Sequence, residues 1–232
     1  MDRIVIAVDG LAGSGKTALS KALAQKLGFV YLSTGILYRA VGYLVLQEGN
    51  DFDDGAAIAN LVQNHTIELG LDADSRAVLR IDGKDVISKL YAPEASEASS
   101  KAAQHPEVRA ELVKIQRSAF SGRNLVVEGR DIGTVIFPDA LAKFYVVADE
   151  HVRLERRLKQ LVADLGVTDP EELKLLKEKM KIEILERDQR DLLRNVSPAI
   201  QADDAILIDN SSQTLTKVVE NMYDAVAKRR AL

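Results

Sequence analysis

One octapeptide near the start of the chain narrows what it can fold into more than any other feature. Gly10-Leu11-Ala12-Gly13-Ser14-Gly15-Lys16-Thr17 fits the spacing Gly, four residues, Gly-Lys-Ser/Thr, and the β-branched run Ile4-Val5-Ile6-Ala7-Val8 leads directly into it. A strand that enters a glycine-rich loop and leaves as a helix is built for phosphate. The glycines let successive backbone N–H groups turn around an anion, Lys16 reaches the outer phosphates, and the Thr17 hydroxyl can hold Mg²⁺. A helix starting near Lys16 adds its positive N-terminal dipole to the same anion. Leu19, Leu23 and Leu27 continue at helical spacing and Gly28 ends the run, which is the context the motif requires.

The rest of the chain reads as apolar strands alternating with amphipathic helices, the pattern of an α/β fold with a parallel sheet between covering helices. Strands are expected at 4–8, 30–32, 125–128, 144–148 and 205–208. Helices are expected at 16–27, 36–47, 107–120, 152–165, 171–193 and 215–228, with Pro106 and Pro170 at two of the starts. Between Thr66 and Ile87 the apolar period changes to two, and Asp82-Gly83 is a hairpin turn signal. This predicts a small β-containing insert, followed by helix near 94–104, inside one domain. At 232 residues the chain is long enough for that arrangement.

Composition excludes several classes. With no cysteine there is neither a disulfide nor a thiolate-bound zinc, and His65, His105 and His151 are too scattered to pair on a metal, so each is expected on the surface or in a loop. The segment before the glycine loop is too short for a signal-peptide core, and no apolar stretch approaches ~18 residues, so a cytoplasmic protein is expected. A net charge of −4 argues against a broad nucleic-acid or membrane footprint. Bound anions must be met by local groups.

Glycine-rich phosphate loops serve GTPases, motor ATPases and small-molecule kinases alike. The chain has no Asp-x-x-Gly or Asn-Lys-x-Asp element of a GTPase, and Asp149-Glu150 is only a loose match to a motor ATPase strand end. What it has instead is arginine. Arg39 follows Ser33-Thr34-Gly35, Arg130-Asp131 follow the 125–128 strand through Gly129, and Arg187, Arg190 and Arg194 fall near the end of a long helix. The first two groups would lie at the carboxyl edge of the sheet, where ligands bind in such folds. An acceptor phosphate could be held there.

These residues identify a resemblance to the bacterial-type cytidylate kinase family, which covers nearly the whole chain. Its most specific stretch is Glu128-Gly129-Arg130-Asp131-Ile132-Gly133-Thr134-Val135-Ile136-Phe137-Pro138-Asp139-Ala140. Ser33-Thr34-Gly35-Ile36-Leu37-Tyr38-Arg39, the run from Ser100 to Arg109 and Glu186-Arg187-Asp188-Gln189-Arg190-Asp191 are also similar. The resemblance implies an ATP:(d)CMP phosphotransferase using Mg²⁺. The implied fold is a three-layer sandwich of the phosphate-loop NTPase type around a parallel five-stranded sheet, in one domain, 1–232. Within it would lie a nucleoside-monophosphate-binding insert, 65–105, and a helical lid, 187–200.

The phosphate-loop motif itself assigns Gly10, Gly13, Ser14, Gly15, Lys16 and Thr17 to ATP, with Thr17 on the metal; the acceptor roles are what the resemblance implies, residue by residue. Thr34, Arg39 and Arg130 would hold the acceptor phosphate, while Ser100, Arg109 and Asp131 would read cytosine. Asp191 would meet the sugar hydroxyls, and Arg187, Arg190 and Arg194 would come from the lid. Lys16, Arg130, Arg187 and Arg190 would be the catalytic group. The base assignment also makes chemical sense, because cytosine presents an amine donor beside acceptors and suits a carboxylate paired with donor groups. The chain departs from the family pattern at Leu11-Ala12, Thr17-Ala18, Leu90-Tyr91-Ala92 and Leu192-Leu193. Expected partners are CMP, dCMP and ATP, with no nucleic acid, no membrane and a monomeric chain. A kinase for UMP or another metabolite, or a non-catalytic nucleotide-binding protein, stays open at this level.

Overall fold

The computed structural model describes residues 3–71, 77–91, 93–166 and 169–230. Met1, residues 72–76 of the expected insert, and Ala92 of the Leu90-Tyr91-Ala92 segment lie outside them.

Five parallel strands form the main sheet: β1 (Val5–Asp9), β2 (Val30–Ser33), β6 (Leu125–Gly129), β7 (Ala142–Val147) and β8 (Ile206–Asp209), in the order β2-β6-β1-β7-β8. All neighbours run parallel, with Val5 opposite Leu125 and Ile6 opposite Ala142. The apolar runs follow from burial on both faces. Along β1, Ile6 and Val8 pack toward α1 (Lys16–Leu27) and α8 (Leu215–Arg230), while Val5 and Ala7 pack toward Ile132, Ile136 and the end of α5 (Pro106–Ser118).

The expected strands appear within two residues of their reading. β7 begins earlier than expected because Ala142 and Lys143 already pair with β1. Pro106 and Pro170 stand at the first turns of α5 and α7 (Pro170–Leu193), where their missing N–H costs nothing. Between them α6 (Glu150–Leu165) packs beside α7.

The 65–105 region forms its own antiparallel sheet of β3 (Ile67–Leu71), β4 (Ala77–Ile81) and β5 (Lys84–Asp85), then a 3-10 turn, Ile87–Tyr91, and α4 (Pro93–Ala102). Asp82 and Gly83 both take positive φ, as a tight hairpin demands. Leu79, Ile81 and Leu90 share a core with α2 (Gly35–Glu48), α3 (Gly55–Asn64) and α5, which joins the insert to the main body.

Two elements were not expected. α3 is a short helix capped by Asp54, whose carboxylate accepts the Ala57 N–H at 2.9 Å. After β6 the chain makes one π turn, Ile132–Ile136, fixed from a distance: both carboxylate oxygens of Asp9 accept N–H bonds, from Ile132 and Gly133, at 2.8 Å. Among the described residues no helix is long and apolar enough to cross a membrane.

Candidate active site

The glycine loop closes over the carboxyl end of β1 and caps α1. Gly10, Gly13 and Gly15 all adopt positive φ. At two of these positions space is equally strict: a Cβ at Gly10 would lie 2.3 Å from the Val146 carbonyl oxygen, and one at Gly15 would lie 2.3 Å from Asn210 Nδ2. Lys16 is buried and donates to the Leu11 carbonyl at 2.9 Å, folding the loop back on itself. Burial, followed by the charges of Arg130 and Arg187, pulls its amine down to about 7. The Thr17 hydroxyl donates to the Glu128 carboxylate, 2.9–3.0 Å away, and Glu128 also accepts from the Tyr31 hydroxyl at 2.6 Å. Glu128 is thus the acid that the strand end supplies to the loop. Asp149-Glu150, the loose match in the sequence, instead begins α6.

A cavity of about 570 Å³ runs from this loop across the ends of β6 and β2. Of the residues expected to bind, Gly13, Gly15, Lys16 and Thr17 line its loop end, and Thr34, Arg39, Ser100, Arg109, Arg130 and Asp131 line the far side. Arg187, Asp191 and Arg194 line it from the end of α7. Gly10, Ser14 and Arg190 are not among the lining residues. Gly10 and Ser14, in the same loop, are buried. Arg187, Asp191 and Arg194 share one helical stripe at spacings of four and three, and Arg190 falls on its flank.

At the far side, the buried Arg109 makes an ion pair with Asp131, and its guanidinium stacks 5.3 Å from the centre of the Tyr38 ring. Ser100 lines the same cavity, and its Oγ is buried without a hydrogen-bond partner among the described residues. Thr34 Oγ1 donates to the Glu128 carbonyl at 2.9 Å, and Arg39 donates to the Leu90 carbonyl at 2.9 Å. Arg130 Nε donates to Asp191 Oδ2 at 2.8 Å, and Arg194 approaches Asp191 Oδ1 at 3.5 Å. Burial alone would raise the Asp191 carboxyl, but Arg130, Arg187 and Arg194 outweigh it and hold the group below its ordinary range. The Arg187 guanidinium is pulled down to about 10 by burial and by Arg130. Such crowding of cations is unfavourable in an empty cavity and favours polyanions.

Sequence reasoning missed the residues that hold the loop from behind. Arg153 donates to the Ala12 carbonyl at 2.9 Å and to Asp188, while Arg156 donates to Asn210 O at 2.7 Å. Asn210 Nδ2 in turn donates to Ser14 O at 2.9 Å. Arg156 and Arg157 also line the cavity. A signal was available, because Arg153, Arg156 and Arg157 fall at helical spacings of three and four just after a strand. Tyr38 stood inside a quoted motif but carried no assigned role.

The family model described as cytidylate kinase matches residues 6–228 of the chain. The cytidylate kinase of Pelotomaculum thermopropionicum is 38% identical over 97% of this chain and 96% of its own length. That of Fervidobacterium nodosum is 40% identical over 97% and 96%, and that of Enterococcus faecalis 37% over 99% and 98%. A solved structure of an uncharacterized protein from Eubacterium ventriosum superposes with a TM-score of 0.52 at 13% identity, covering 97% of this chain and 99% of that one, a likeness in fold alone.

Proposed function

The chain belongs to the cytidylate kinase family, and we propose that its cavity moves the γ-phosphoryl group of ATP onto the phosphate of CMP or dCMP, a step of pyrimidine nucleotide metabolism. The observation that best supports this reading is the buried Arg109–Asp131 pair in a cavity that Ser100 also lines. A carboxylate acceptor flanked by guanidinium and hydroxyl donors matches the N4 amine of cytosine and its neighbouring acceptors. Uracil would set a carbonyl against the carboxylate and strand buried groups on both sides, the arrangement that discriminates most strongly.

The remaining roles follow from charge and place. Thr34, Arg39 and Arg130 take the acceptor phosphate, Asp191 takes the sugar hydroxyls, and Arg187 and Arg194, with Arg190 on their flank, come from the 187–200 lid. The glycine loop and the first turn of α1 present N–H groups to the donor phosphates. The acceptor phosphate is already largely ionised near neutral pH, so no general base is required. Transfer needs alignment and neutralisation of charge on the equatorial oxygens, which Lys16 and the arginines supply.

Mg²⁺ suits the oxygen donors present, because the Thr17 hydroxyl and Glu128 carboxylate stand together where donor phosphates would complete the shell. Those two residues would hold it. When bound, the ion adds positive charge against the developing charge on the phosphoryl oxygens. We place this activity in a monomer in the cytoplasm.

The test is ADP formation from Mg-ATP by the purified chain with CMP, dCMP, UMP, AMP and GMP offered separately. Strong turnover with CMP and dCMP and weak turnover with UMP is expected. Equal use of UMP would overturn the base reading, and transfer to none of the five would overturn the kinase reading.

A further inference from the structure

We infer that Asp188 is a positioning residue that ties donor binding to acceptor binding, acting through Arg153. The inference rests on the reading of the cavity as the meeting place of ATP and CMP. Neither residue lines the cavity, and neither has a part in the chemistry above. Arg153 Nη1 carries two N–H bonds and uses them on two structures: the Ala12 carbonyl in the glycine loop at 2.9 Å and Asp188 Oδ2 on α7 at 2.6 Å. Both side chains are buried, Arg153 being 8% exposed and Asp188 6%. The backbone of Arg153 also presses on the loop, since a Cβ at Gly13 would lie 2.9 Å from its carbonyl oxygen.

Asp188 stands between two α7 residues that do line the cavity, directly after Arg187 and three before Asp191. Asp191 is latched in turn to Arg130 at the end of β6. One turn of α7 therefore carries a latch to the donor loop and a latch to the acceptor side. A donor that orders the Ala12 peptide orders Arg153, then Asp188, and so the rotation of the helix that presents Arg187 and Asp191. Linkage makes the effect reciprocal: an acceptor that orders α7 must favour the donor by the same factor.

A purely architectural ion pair would be expected to satisfy its atoms. Among the described residues, Asp188 Oδ1 is instead buried without a hydrogen-bond partner. An unmade bond on a buried carboxylate oxygen costs stability, so the group is held at a loss that function can explain.

The experiment is the affinity of a non-hydrolysable ATP analogue, measured by calorimetry with and without saturating CMP. The unaltered chain should bind the analogue several-fold more tightly with CMP present. Asp188→Asn, which keeps the shape and removes the charge, should bring that ratio close to one while changing each separate affinity less than about threefold. The double variant Asp188→Asn with Arg153→Gln removes the stranded cation, so it serves if the single variant does not fold, and the same ratio near one is expected. A ratio unchanged by the substitutions, or absent in the unaltered chain, overturns the inference. Turnover of CMP by the unaltered chain is measured alongside. Normal turnover with an unchanged ratio sinks this inference alone, whereas no turnover overturns the kinase reading and the inference with it.

Discussion

At the scale of the residue, Lys16 concentrates the electrostatics of the site. Burial and two neighbouring arginines bring its amine down to about 7, so near pH 8 the empty protein holds it mostly neutral. A polyphosphate beside it favours the ammonium form. Donor binding at pH 8 should therefore take up a substantial fraction of a proton, and the uptake should fade by pH 6. The binding enthalpy measured in buffers of different ionisation heat reads this directly, and a slope of zero at pH 8 would contradict it. The same depression acts on folding. Between about 7 and 10.5 the unfolded chain binds this proton more tightly, so in that window the group makes the empty protein more stable as pH rises. Lys16 was legible in the sequence because its motif fixes both backbone and chemistry over eight residues. Asn210 was not, and Arg153 showed only as one of three arginines at helical spacing, because both serve the loop through carbonyl groups that any sequence supplies.

At the scale of the element, the close crossing of α2 and α4 sets where Ser99 and Ser100 stand. Gly42 is the point of approach: a Cβ there would lie 2.8 Å from Ala98 Cβ and 2.9 Å from the Ser99 backbone nitrogen. Gly42→Ala gains helix propensity, yet it must push α4 away, and overpacking of this kind costs about 1–3 kcal/mol. The variant should melt lower, with KM for CMP raised several-fold and KM for ATP nearly unchanged; a normal CMP KM would show that α4 does not position the acceptor. The five strands and most helices could be read because a sheet buried on both faces writes continuous apolar runs. The π turn could not, since its N–H groups are claimed by Asp9, more than a hundred residues earlier. α3 was hidden by brevity, although Asp54 and the stripe Ile58, Leu61, Val62 mark it in retrospect.

At the scale of the whole molecule, a net charge of −4 coexists with a strongly cationic cavity, so the attraction for nucleotides is local. Besides its shared core, an ionic clasp ties the insert to the main body. His65, at the end of α3, lies 2.6 Å from Asp82 in the β4–β5 turn and 2.7 Å from Glu48 at the end of α2. Hydrogen bonds to Asp82, then to Glu48, raise the imidazole pKa. A raised histidine pKa gives stability that is fully present below its unfolded value near 6.5 and is lost as pH climbs through the folded value. His65→Gln should therefore unfold at lower denaturant than the parent at pH 6, with the gap closing toward pH 9. A gap that does not change with pH would show that the clasp works without the proton.

The sheet order carries a consequence for synthesis. β1 is the middle strand, and its pairing with β6 begins with Val5 opposite Leu125. On a ribosome adding roughly 5–20 residues per second, Val5–Asp9 waits several seconds or longer for either neighbour, with both hydrogen-bonding edges bare. The strand that anchors the nucleotide loop is thus among the first segments made and among the last to be enclosed. Over that interval the nascent chain offers an apolar, unpaired strand to chaperones, or to other copies of itself.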